Sequence, residues 1–184
     1  MNKNALLVID IQRGAFDAKR CPPIDSPERL VGNARRLIDA ARAGGRPIVF
    51  IQHCENVAGE PFEEGTEHWE LHEALVPARG DTVLRKYASS SFEGTDLDGR
   101  LKDKGIEALT LCGLQSEFCV TNTARSALGL GYAVSVADDG HGTWPSNGRS
   151  ADEIREEVNA KLAAAGAQVS STDALSAALR GAAA

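Results

Sequence analysis

A chain of 184 residues with 26 acidic and 20 basic side chains carries a formal charge of −6, which leaves no basic footprint for nucleic acid or an anionic membrane surface. The length suits a single domain over residues 1–184, able to bury about 70% of its unfolded surface around one core. Cys21, Cys54, Cys112 and Cys119 lack both the paired spacing of a zinc site and the density of a disulfide scaffold, so they fit a reducing compartment.

The first apolar run, residues 5–9, is too short for a signal peptide or a membrane span, and a cytoplasmic location is expected. Because it is continuous and stops at Asp10, it predicts a strand buried on both faces. A helix follows, with Ser26 as N-cap, Pro27 at its first position and Gly44-Gly45 closing it. Leu30, Val31, Ala34, Leu37, Ile38 and Ala41 make its apolar stripe. Residues 47–51 and 81–85 predict the second and third strands. The connection between them, residues 52–80, holds Phe62, Trp69 and Leu71, and a loop of that length reads as a wall or lid over a pocket.

Thr95 opens a short helix with Leu97 and Leu101 inward, and residues 108–112 form the fourth strand. A helix from Thr121 ends at Gly129-Leu130-Gly131, which lacks the third glycine of a dinucleotide fingerprint. Residues 133–137 and 167–170 supply strands five and six. Between them, Ser150 and Glu153 make a capping box ahead of Ile154, Val158 and Leu162. A last helix from Thr172 buries Leu175 and Leu179, and the Ala-rich end, residues 182–184, packs or frays. The alternation of strands and helices predicts a three-layer, Rossmann-like α/β fold, a six-stranded parallel sheet with helices on both faces.

Ligands of open parallel sheets bind beyond the carboxyl ends of the strands. Asp10 follows the first strand, Lys86 the third, and Cys119 lies in the turn from the fourth strand to its helix. Each has an ordinary reading, as a turn residue, a solvated amine and a packed thiol. Together at one sheet edge they form a nucleophilic set: a thiol, a carboxylate to take its proton and an ammonium to hold the anion. The helix N-terminus is expected to favour the thiolate.

Several separated segments carry a family likeness. They are Leu7-Val8-Ile9-Asp10-Ile11-Gln12; Lys86 with Ser91-Phe92 and Thr95-Asp96-Leu97; residues 113–120 with Thr123-Ala124; and residues 138–144. In these the chain resembles the isochorismatase-like cysteine hydrolases, which include nicotinamidases and N-carbamoylsarcosine amidohydrolases. The resemblance implies a triad of Asp10, Lys86 and Cys119 and a cis peptide at Leu114-Gln115. It also implies an oxyanion hole from the backbone N–H groups of Gln115 and Cys119, a small-molecule amide or ureide substrate cleaved at a C–N bond, and a homo-oligomer.

Nicotinamidases hold a metal with an Asp-x-His pair after the second strand and a further His. Here His53 and Glu55 stand at those positions and no His follows until His68 and His72, so no metal or other cofactor is expected. Two other readings stay open. Vinyl ether hydrolysis needs protonation in place of a thiol, so Cys119 favours C–N cleavage over it. A non-catalytic or thiol redox protein is less consistent with the absence of a resolving Cys close in sequence to Cys119. By position near strand ends or in the long loop, Gln12, Phe16, Trp69, Tyr87, His141 and Trp144 are the candidate pocket residues.

Overall fold

Continuous apolar strands need cover on both faces, and β1 (Asn4–Ile9) has it: Ala5 through Ile9 are each at most 1% exposed. Alternation divides them. Ala5, Leu7 and Ile9 join one core with residues of α2 (Leu97–Asp103), α3 (Thr121–Gly129) and α4 (Ala151–Ala164). Leu6 and Val8 join the other, with α1 (Pro27–Ala43) and α5 (Thr172–Arg180). The stripe read on α1 is buried except for Val31, which is partly buried, and Asn33 and Ala40 are buried beside it; each fully buried Leu contributes about 1.5–3 kcal/mol. The computed structural model describes residues 3–181, so residues 182–184 lie outside the described residues. Among the described residues no helix is long and apolar enough to cross a membrane.

The remaining strands are β2 (Ile48–His53), β3 (Thr82–Lys86), β4 (Ala108–Leu114), β5 (Ala133–Gly142) and β6 (Gln168–Ser170). They lie parallel in the order β3-β2-β1-β4-β5-β6. Chain direction across the sheet therefore reverses at β1, and the crevice beyond β1 and β4 is the switch point.

Four strands run further toward their carboxyl ends than the sequence reading. β2 reaches His53, β3 includes Lys86 and β4 runs to Leu114. The longest extension is in β5, where pairing with β4 resumes after an irregularity and joins Gly113 to His141. The intervening Asp138 and Asp139 lie beyond the fifth strand as read in sequence, but their polar groups are used. The Asp139 carboxylate accepts from the Thr172 backbone N–H at 2.8 Å and from its hydroxyl at 2.6 Å, and Asn159 donates to the Asp138 carbonyl at 3.1 Å.

Helix ends also differ in detail. Ser26 sits at φ 50 and donates to Asp25 instead of capping α1 with its side chain. Both halves of the Ser150–Glu153 capping box are formed. Helix α2 begins at Leu97, with Thr95 accepting from the Leu97 N–H at 3.3 Å. Past α3, Gly131 takes the left-handed conformation (φ 90) that a side chain would resist.

Candidate active site

The ends of β1, β3 and β4 bring Asp10, Lys86 and Cys119 together. Asp10 leaves β1 with φ 53, a left-handed value that Asp tolerates better than most residues, and its N–H donates to Ile51 at 3.0 Å. Lys86 is fully buried as the last residue of β3. Its ammonium lies 2.7 Å from Asp10 Oδ2, 3.3 Å from Cys119 Sγ, 3.1 Å from the Ala88 carbonyl and 3.2 Å from His53 Nδ1. The Asp10 carboxylate is in reach of the thiol as well as the ammonium, and beyond those two groups its buried oxygens have no partner among the described residues.

Cys119 belongs to one wide helical turn, Ser116–Val120, in which the Val120 N–H reaches the Gln115 carbonyl at 3.1 Å. That turn leads directly into α3. The peptide between Leu114 and Gln115 is cis. Burial pushes the Cys119 thiol up to about 11; the Asp10 charge adds to the shift and the Lys86 charge opposes it. The resting group is therefore a thiol. This runs against the expectation from the helix N-terminus: burial, with the Asp10 charge, outweighs the Lys86 charge. Burial also holds the Asp10 carboxyl above the usual carboxylate range despite the pull of Lys86, which raises its capacity to take a proton from sulfur.

A second buried network fixes the nucleophile turn. Asn159 donates to the Asp138 carbonyl, which turns its Oδ1 toward His141 Nε2 at 2.8 Å. The His141 proton consequently sits on Nε2, and Nδ1 accepts from the Ser116 hydroxyl at 2.8 Å. Burial lowers the His141 pKa from its ordinary 6.5 to about 4. Between those values the unfolded chain holds a proton that the fold refuses, so acidification favours unfolding. The stability is fully present above pH 6.5 and is lost as pH falls through about 4. About 3 kcal/mol is expected from this group. Urea unfolding from pH 7 to pH 4 should show the loss, with a shallower slope in His141→Leu; identical slopes in the two proteins would exclude it.

The candidate pocket residues scatter. Trp144 does line a cavity of about 590 Å³, with Phe62, Pro22, Glu55, Glu60 and Gln115, and its indole donates to the Pro22 carbonyl at 2.7 Å. The long loop thus contributes a wall of this cavity. Phe16 lines a different cavity and meets His72 edge-on. Gln12 and His141 are completely buried and cannot touch a ligand without rearrangement. The Gln12 amide instead ties β1 to β2, donating to the His53 carbonyl at 2.9 Å and accepting from the His53 N–H at 2.8 Å. Tyr87 is 57% exposed and donates to Glu64, outside either cavity. Trp69 also lies outside both; it packs under Arg85 and donates to Cys54 Sγ.

His53 was legible only as a loop histidine, because β2 reads two residues too short. Its Nδ1 faces an ammonium, while the Glu55 carboxylate accepts from the Phe62 N–H at 2.7 Å. These two residues do not fit a metal of the nicotinamidase kind. A dication would sit against Lys86, and no three potential His, Cys, Asp or Glu ligands cluster among the described residues.

Comparison with known proteins gives a consistent picture. The Isochorismatase domain family matches residues 4–174. Among relatives with a named activity, a streptothricin hydrolase of Streptomyces noursei is 36% identical over 76% of this chain; the match covers 54% of that protein, so the chain spans about half its length. The ureidoacrylate amidohydrolase RutB of Serratia proteamaculans is 28% identical over 78% of this chain and 71% of its own length. A crystal structure from Burkholderia xenovorans LB400, named provisionally as an isochorismatase, superposes with a TM-score of 0.90 at 33% identity, covering 97% of this chain and 88% of that one.

Proposed function

The chain belongs to the isochorismatase-like hydrolase family, and from that premise we propose that it is a cysteine hydrolase opening a C–N bond of a small amide or ureide through a thioester on Cys119. The observation that carries this reading is the buried contact of Lys86 with both Asp10 (2.7 Å) and Cys119 (3.3 Å) at the carboxyl edge of the sheet. The amidohydrolase name of one relative supports the bond type, and the hydrolase name of another supports hydrolysis.

In this mechanism Asp10 accepts the thiol proton while Lys86 holds the developing thiolate. Sulfur attacks the carbonyl carbon. The N–H groups of Gln115 and Cys119 are the donors to the resulting oxyanion, each contributing about 10²-fold or more in rate. Collapse of the tetrahedral intermediate breaks the C–N bond, and Asp10 returns its proton to the departing nitrogen. Asp10 then deprotonates a water that attacks the thioester carbon, releasing the acid and restoring the thiol.

The test is ammonia release from nicotinamide, carbamoyl amino acids and biuret-like compounds by wild type and Cys119→Ala, each with and without chelator. Release that requires Cys119 and survives chelation is expected. Turnover retained in Cys119→Ala would end the thioester mechanism.

A further inference from the structure

His53 ends β2 with its ring half-buried between Lys86 and Phe62. An ammonium can only donate, so the 3.2 Å contact makes Nδ1 the acceptor and leaves the ring proton on Nε2. Among the described residues Nε2 meets no acceptor, and it is not sealed from solvent. The ring also has little freedom. Its backbone is clamped at both N–H and carbonyl by the Gln12 amide, and its face meets Phe62 edge-on with centroids 6.1 Å apart. Phe62, which the His53 ring meets, lines the cavity that Gln115 also reaches, whereas His53, Asp10, Lys86 and Cys119 are not among its lining residues; the N–H without a partner among the described residues lies beside the buried ammonium and next to a residue of the cavity wall.

We infer that His53 is a substrate-binding residue whose Nε2–H donates to an oxygen or nitrogen acceptor of the substrate beside the scissile amide. This inference rests on the cysteine-hydrolase reading and deepens it.

Two substitutions separate binding from positioning. His53→Asn keeps an acceptor near the Nδ1 position for Lys86 but removes the distal donor, whereas His53→Gln carries an amide N–H to the Nε2 position. On an amide whose hydrolysis depends on Cys119, His53→Asn is expected to lower kcat/KM about 10- to 100-fold, with His53→Gln recovering most of the loss. Nitrogen-15 NMR of the intact protein at pH 7 should find the His53 proton on Nε2. An Nδ1–H tautomer, an unchanged kcat/KM in His53→Asn, or equal losses in both variants would each overturn the inference. Turnover surviving in Cys119→Ala would instead remove the cysteine-thioester reading, and the NMR tautomer would still decide the donor.

Discussion

Asp10→Asn is expected to lower turnover by about 10²- to 10⁴-fold, because an amide cannot take the thiol proton or activate the water. The same change should destabilise the fold by about 3–5 kcal/mol. Lys86 is fully buried, the Asp10 side chain is only 2% exposed, and the substitution strands the ammonium without its counter-charge. A double variant, Asp10→Leu with Lys86→Met, removes both charges and is expected to regain most of the stability while remaining inactive. Ammonia release and urea unfolding on the three proteins separate these effects. If Asp10→Asn keeps turnover within tenfold of wild type, Asp10 is not the base. If the double variant is no more stable than the single one, the loss does not come from a stranded charge.

The second large effect is structural and lies one strand away. Gly113 pairs with Ile9 at the end of β4, at φ 130, where an added Cβ would stand 2.0 Å from the Ile9 carbonyl oxygen and 2.7 Å from its nitrogen. Both obstacles are backbone, so no rotamer change relieves them. Alanine there must part β1 from β4 at the point where one strand delivers Asp10 and the other leads to Cys119. Gly113→Ala is expected to cost more than about 4 kcal/mol and to yield little folded protein. Gly129→Ala provides the contrast: nothing lies within 4 Å of its Cβ, and it should be neutral or stabilise α3 by up to about 1 kcal/mol. Urea midpoints decide between them. A Gly113→Ala protein within about 1 kcal/mol of wild type would refute the argument.

Much of the fold is legible in local pattern because burial on both faces of a parallel sheet leaves apolar runs, and residues with chemistry follow three of the strands so read: Asp10 after the first, Lys86 after the third and Cys119 in the turn beyond the fourth. That is why Asp10, Lys86 and Cys119 stand out at one edge in the sequence. The same criterion fails where polar residues continue a strand. Gln52 and His53 extend β2, and Asp138 and Asp139 lie within β5, because partners distant in sequence satisfy their hydrogen bonds. Position near a strand end also says nothing about which way a side chain faces. Gln12 and His141 are near the site, yet they point into the protein as a clamp and as an anchor for the nucleophile turn.

The sequence by itself determined the layer architecture, the family likeness and the three residues of the proposed triad, since periodicity, chain order and residue type are local properties. Only the tertiary structure decided the protonation of Cys119, the partner of His53 and the walls of the cavity. Those depend on desolvation and on contacts between segments far apart in the chain: Lys86 beside Cys119, Ser116 against His141, and Pro22 beneath Trp144. A linear pattern contains none of these distances, and the energy of a buried charge or an oriented donor is a function of them.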